Sequence, residues 1–248
     1  MHKEIHFVTA DEAVKVVKSG DWVDYTTGNG YPKALDEALA RRKEELRDVK
    51  VRGNLLAGPI QIVECDPERE HFIYNSWHCS GYERKLCDRG LCNYIPMVFR
   101  NLVEYYRHFL DVNVAMIAVA PMDDHGYFNL STSIGVAKGI LETADIVIVE
   151  TNENLPTIHG GWDDSIHISE VDFIVEGENT PLLQMGTPKP KETDIKIAEA
   201  IIPHISDGCM LQLGIGVFTG PVFGIGLGEC AGQPRCSHAL RCIQNNLH

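Results

Sequence analysis

Hydrophobic positions in this chain fall into short continuous runs of strand length, separated by stretches with helical spacing. The clearest case is Val114-Ala-Met-Ile-Ala-Val-Ala120, which stops at Pro121 and enters a polar, glycine-containing loop through Leu130. A helical pattern over 131–144 and a second buried run, 145–150, follow. Runs apolar on every residue are strands covered on both faces, so this strand–loop–helix–strand unit predicts a parallel sheet. In such sheets ligands gather at the loops following the carboxyl ends of the strands.

The same reading extends along the chain. Thr9 and Glu12 form a capping box that opens a helix over 9–19, with Ala13, Val14, Val16 and Val17 as its apolar stripe and Gly20 as its stop. Residues 22–25 read as a strand and 26–32 as a glycine loop. A helix starting at Pro32 turns Leu35, Ala38, Leu39 and Leu46 inward, with Glu37 and Arg41 spaced for an outward i, i+4 pair. Strands are expected at 49–56 and 72–74, and a loop-rich excursion from 75 to 96. Phe99, Leu102, Val103 and Tyr106 share a helix face, and 167–175 alternates as a strand. The prolines 181, 188 and 190 mark a connector over 177–193. Ile195, Ala198, Ile201, Ile202 and Ile205 form a last helix face that Pro203 should shorten, and 209–213 is a strand running into Gly214 and Gly216.

At 248 residues the chain can bury a large core. No apolar run reaches membrane-spanning length, and the amino terminus has no signal-peptide core, so a cytoplasmic protein without a membrane partner is expected. A net charge of −13 without a basic tract argues against a nucleic-acid partner. Any anionic ligand must therefore be held by local N–H groups and helix N-termini. Eight cysteines in such a chain do not imply disulfides. His78, Cys79, Cys87 and Cys92 are irregularly spaced, with no Cys-x-x-Cys pair, and read as ordinary residues with no metal site.

Seven segments, in order, carry a resemblance: 28–33 (GNGYPK), 74–78 (YNSWH), 92–96 (CNYIP), 120–129 (APMDDHGYFN), 148–156 (IVETNENLP), 165–172 (SIHISEVD) and 211–216 (LQLGIG). Together they resemble the acetyl-CoA hydrolase/transferase family, in particular its 4-hydroxybutyrate and butyryl-CoA:acetate CoA-transferases. The resemblance implies an α/β fold: a mostly parallel sheet with helices on both faces, in a CoA-transferase-like (NagB/RpiA-like) N-terminal lobe. It implies a lobe at 1–190, the start of a second lobe at 191–216, and a divergent tail at 217–248 that reads as a shifted frame. It also implies transfer of CoA from an acyl-CoA to a short-chain carboxylate through a glutamyl-CoA intermediate. CoA would be a substrate, no further cofactor is called for, and self-association is left open. The attacking glutamate of the family belongs to the second lobe and is not assigned here. The chain alone is therefore expected to be inactive; a non-catalytic pairing module and an acetyl-CoA hydrolase are the alternatives. A sugar-phosphate isomerase of related architecture would need carboxylates and a phosphate loop that are not assigned either.

Candidate acyl- or oxyanion-binding residues are Gly28, Asn29, Gly30, Asn75, His78, Met122, Asp123, His125 and Gly126; candidate CoA contacts are Gln212, Gly214 and Gly216. Each has a plain reading beside it. Gly28–Gly30 either bring backbone N–H groups and a helix N-terminus to a thioester oxygen or make a tight turn. Asp123 and Asp124 either meet a ligand or cap a turn. Glu150, Asn152 and Asn154 either border the cleft or close a strand.

Overall fold

The computed structural model describes residues 6–161, 163–182 and 191–204. The chain divides into two units, Met1–Leu183 and Gln184–His248. The strands of the first unit are β1 (His6–Phe7), β2 (Trp22–Thr27), β3 (Val49–Asn54), β4 (Phe72–Ser76), β5 (Asn93–Tyr94), β6 (Val112–Val119), β7 (Tyr127–Asn129), β8 (Ala144–Thr151), β9 (Ser165–His167) and β10 (Phe173–Glu176). Its helices are α1 (Ala10–Ala13), α2 (Lys33–Arg41), α3 (Gln61–Glu64), α4 (Gly81–Asp88), α5 (Leu102–Phe109) and α6 (Ala137–Thr143). In the second unit, α7 (Glu192–Ile201) gives way to a 3-10 turn at Ile202–His204 that contains Pro203, the shortening expected there.

Eight strands form one sheet in the order β1-β10-β8-β6-β2-β3-β4-β5, and every neighbouring pair is parallel. The apolar run in β6 explains why both faces must be covered. Val114 and Met116 belong to one core with Leu35, Leu39, Ile62 and Leu86, from α2, α3 and α4. The alternate residues Ala115, Ile117 and Val119 belong to a second core with Leu102 and Tyr106 of α5 and Ala137 and Ile140 of α6. The period-2 alternation of Cβ directions thus divides one hydrophobic run between two cores. Each large side chain so buried contributes about 1.5–3 kcal/mol.

The strand order sets the position of the site. From β2 the sheet grows one way through β3, β4 and β5; the chain then returns to lay β6 on the other side of β2 and grows outward through β8 and β10. The order reverses between β2 and β6, and a crevice outside their carboxyl ends is where open α/β sheets bind ligands.

Several elements depart from the pattern-based reading. The helix expected over 9–19 is α1 plus a 3-10 turn at Val14–Val16: its capping box forms, with Glu12 N donating to Thr9 Oγ1 at 3.3 Å and Thr9 N to Glu12 Oε2 at 2.9 Å. The run of β-branched valines then leaves the helix early. The helix from Pro32 ends at Arg41, and Leu46 is buried from beyond a second 3-10 turn, Lys43–Glu45. Arg41 reaches Asp11 at 2.6 Å, and Glu37 faces Lys33. The pattern over 131–144 is broken: Ser131–Ser133 is a 3-10 turn, Gly135 adopts φ +42°, and only then does α6 begin. The strand expected over 167–175 is two strands, β9 and β10, around a 3-10 turn at Ile168–Glu170, and Phe99 is exposed outside its helix face. The supposed loop 75–96 contains α4, opened by a capping box from Ser80 and Glu83. β7 and β9 form a separate antiparallel pair.

Candidate active site

β2 ends at Thr27, and the chain turns at once into a 3-10 turn, Gly28–Gly30, with Gly28 at φ +54°. This turn sits at the crevice where the strand order reverses. The Ser131–Gly135 segment packs against it: Thr26 Oγ1 donates to Ser133 O at 3.1 Å, and Asn29 Nδ2 lies 3.5 Å from Thr132 Oγ1. A Cβ on Gly30 would collide with Thr26 Cγ2 and stand 3.0 Å from Ser133 Cβ, so glycine is required by the close approach of the two segments. On the other side Thr27 Oγ1 donates to Asn54 Oδ1 at 2.8 Å, at the end of β3. The Asn54 amide nitrogen is buried with no hydrogen-bond partner, as is the Ser131 hydroxyl. Ser131 also holds φ +54°. Unsatisfied buried donors and a strained non-glycine residue around one turn are the features expected where a ligand completes the polar pairing.

The N-terminus of α2 behaves differently from the expectation. Its leading N–H groups are not turned over to a ligand: Ala34 N and Leu35 N donate to Glu150 Oε1 and Oε2 at 3.1 and 3.0 Å. Glu150 is buried near the end of β8. Burial raises its carboxyl to about 7; the Leu35 and Ala34 bonds oppose the shift, and Asp36 and Glu178 add to it. Asp36, one turn into α2, is buried as well. Tyr25 Oη donates to it at 2.9 Å, Gln61 N at 2.5 Å, and Tyr31 Oη makes a further short bond. Burial outweighs these donors and lifts Asp36 to about 6. Lys33 faces Glu37 and Glu178.

Asn75 lies between β3 and β5 and spends its amide inside the sheet, donating to Val51 O and Ile73 O and accepting from Asn93 Nδ2. His78 is exposed, its carbonyl receiving Leu55 N. Met122 and His125 are exposed. Asp123 Oδ1 accepts from His125 N and Tyr127 N at 2.9 and 2.8 Å, which makes it a turn cap and holds its carboxyl below the usual range. Gly126 takes φ +83°, with His167 Nε2 3.2 Å from where a Cβ would lie. Asn152 and Asn154 bond Thr180 O and Asn179 O and close the turn after β8. Gln212, Gly214 and Gly216 fall outside the described residues. A groove of about 670 Å³, lined by Trp22, Tyr106, His108, Asn113 and Asp145 among others, opens at the amino ends of β2, β6 and β8, opposite the crevice.

Residues 3–184 match the acetyl-CoA hydrolase/transferase N-terminal domain. The chain belongs to this family. It is 47% identical over 210 residues to a butyryl-CoA:acetate CoA-transferase of Anaerostipes caccae, covering 84% of this chain and 47% of that protein. It is 32% identical over 210 residues to a 4-hydroxybutyrate coenzyme A transferase of Clostridium kluyveri, covering 84% and 48%. The chain thus spans about half the length of the curated relatives it matches. Among solved structures, RipA from Yersinia pestis superposes with TM-score 0.78 at 29% identity, over 89% of this chain and 53% of that one. A 4-hydroxybutyrate CoA-transferase from Porphyromonas gingivalis superposes with TM-score 0.64 at 25% identity, over 86% and 49%. The parallel sheet and the family assignment agree with the reading from sequence.

Sequence reasoning found the 28–30 turn but not its surroundings. Thr27, Asn54 and Ser131 carry no motif, because their importance comes from a strand neighbour in space. Asp36 lies on the inward face of a helix whose pattern gives no reason for an acid there, and that mismatch was the available signal.

Proposed function

We propose that this chain supplies the acyl-CoA-facing lobe of a CoA-transferase of the butyryl-CoA:acetate kind. The observation that carries the proposal is the turn Gly28–Gly30 at the strand-order reversal, beside the unpartnered amide of Asn54. The sequence similarity to the Anaerostipes caccae transferase supports the choice of acyl group. In the proposed reaction a carboxylate oxygen attacks the thioester carbonyl and CoA thiolate leaves, giving a mixed anhydride. The thiolate then attacks the glutamyl carbonyl, releasing the first carboxylic acid and leaving CoA on the enzyme; a second carboxylate reverses both steps. Splitting the transfer this way lowers each barrier. Donors fixed around the 28–30 turn suit the oxyanion that forms in each addition.

Neither buried acid near the turn suits the attacking role. Glu150 has both oxygens engaged by α2, and Asp36 is enclosed by two tyrosines and a backbone N–H. We therefore assign the nucleophile to the second lobe that the family resemblance implies, and the 248-residue polypeptide by itself is proposed to bind without turning over. Equilibrium dialysis against butyryl-CoA, with a thioester-exchange assay in acetate, tests both parts. Retention of butyryl-CoA that Asn29→Ala weakens, with no exchange, is expected. Absence of retention would overturn the acyl-CoA-facing role. Exchange accompanied by a borohydride-trapped adduct on Glu150 or Asp36 would overturn the placement of the nucleophile.

A further inference from the structure

The described part of the sheet edge holds a cluster that the proposed transfer does not use. Cys79 follows β4, Cys87 lies in the last turns of α4, and Cys92 immediately precedes β5. In sequence they are separated by seven and four residues, a spacing that suggests nothing. The capped helix α4 folds them together: their sulfurs all lie within 4.8 Å of one another, and Cys79 and Cys87 are 3.8 Å apart. His78, their neighbour in sequence, is exposed and outside the group.

These distances have a chemical meaning. With metal–sulfur bonds of about 2.3 Å, sulfurs sharing one metal ion sit about 3.8–4.0 Å apart. One pair is already at that spacing, and closing the remaining gap needs shifts of less than an ångström. The surroundings fix the ligands in place. Ser80 N and Tyr74 Oη donate to Glu83 at 2.7 Å each, which locks the start of α4 onto β4. Arg69 donates to Gly90 O at 2.8 Å and to Asn93 Oδ1 at 3.0 Å, bracketing the turn that carries Cys92 and setting a guanidinium beside it; its Nε is buried without a partner.

We propose that Cys79, Cys87 and Cys92 form a binding site for a thiophilic monovalent cation of the Cu(I) class, held by three thiolates. Soft thiolate ligands select Cu(I) and zinc, and structural zinc sites are four-coordinate, so a three-sulfur set suits Cu(I). Burial first, and then the neighbouring thiols and Glu83, favour the protonated forms of Cys79 and Cys92. Each Cu–S bond therefore forms as one S–H bond breaks and its proton passes to solvent, with no change of oxidation state. Binding would staple α4 to the segment joining β4 to the following loop.

The test uses the full chain, reduced and kept anaerobic, with Cys209, Cys230, Cys236 and Cys242 replaced by serine so that only the described cysteines remain. Cu(I) is titrated in against a chromogenic chelator. One equivalent should be retained, with a thiolate-to-metal charge-transfer band and an X-ray absorption shell of three sulfurs. Cys87→Ser should shift the competition midpoint by at least about tenfold, whereas Cys65→Ser should leave it unchanged; circular dichroism checks that each variant is folded. Failure of the parent chain to hold Cu(I) against the chelator, or equal retention after Cys87→Ser, overturns the site.

Discussion

Glu150 is a carboxylate that does two things at once: it is buried, and it terminates the N-terminal turn of α2. Replacing it with alanine leaves the buried Leu35 N–H without an acceptor, at about 1–3 kcal/mol, and the part-buried Ala34 N–H at less. Glu150→Gln keeps one acceptor oxygen and should cost about half as much. The pH dependence is the sharper test. The folded carboxyl sits at about 7, above its ordinary 4.5, because burial outweighs the two bonds. The folded state thus binds this proton more tightly than the unfolded chain does. The group's stabilisation is complete below the unfolded pKa and is lost as pH rises through the folded one, between about 4.5 and 7. Linkage puts the loss between pH 5 and pH 8 at about 2–3 kcal/mol. Glutamine cannot titrate. Urea unfolding followed by tryptophan fluorescence, compared for the wild type and Glu150→Gln at both pH values, isolates this term from every group they share. The wild type should be the more stable at pH 5, and its advantage should shrink or reverse by pH 8. Protection of the Ala34 and Leu35 amides from hydrogen exchange, corrected for the intrinsic rate at each pH, should fall over the same interval in the wild type alone. An advantage that is constant, or that grows with pH, would show that α2 stabilises the ionised form more than burial penalises it, and the reasoning would fail.

Three further outcomes follow from the geometry. Arg52 and Asp24 form a buried two-pronged ion pair, with Nε and Nη2 at 2.9 and 2.6 Å from the carboxylate, and Tyr106 Oη adds a third bond at 2.6 Å. Arg52→Met should destabilise the chain by about 3–5 kcal/mol in urea unfolding, because Asp24 is left charged and enclosed, whereas the double change Asp24→Leu with Arg52→Met should recover most of that loss. Gly30→Ala should cost about 1–3 kcal/mol by overpacking against Thr26 and Ser133, whereas Gly58→Ala, with open space around its Cβ, should be near neutral in the same measurement. Tyr74→Phe removes the 2.7 Å bond to buried Glu83 and should lower stability by about 1–3 kcal/mol, read as a drop in thermal midpoint.

What could be read from sequence divides along a physical line. β6 and β8 were legible because a strand covered on both faces needs apolar side chains at nearly every position. The Thr9–Glu12 box was legible because capping is local, and the same rule applied to Ser80 and Glu83 would have found α4 inside the stretch taken as loop. The helix over 131–144 failed because its apolar spacing was correct while Ser131 and Gly135 adopt positive φ, with Gly135 packed against Thr27 and Ser133 against Gly30. Periodicity reports which face is buried and says nothing about such a break.

The site shows the same limit from the other side. Gly28-Asn-Gly30 correctly marked a turn that sequence could place after a strand. The inference that the next helix would lend its N-terminus to an anion then followed from general electrostatics. It failed on a residue more than a hundred positions away: Glu150, which the parallel pairing of β6 and β8 brings into line with α2. A helix N-terminus that already holds a carboxylate has little left to offer an anionic ligand. Under the proposed function the donors at the crevice are therefore the turn itself and the Asn54 amide, which the partner on its other side, Thr27, fixes by its oxygen and leaves free by its nitrogen. Asn54→Asp keeps the acceptor for Thr27 and removes the donor. In the dialysis experiment it should weaken butyryl-CoA retention at neutral pH; the unpaired carboxylate in a buried position also lowers the thermal midpoint, so retention is read well below that midpoint on folded protein, and a folded variant that retains butyryl-CoA as well as the wild type would remove Asn54 from the site.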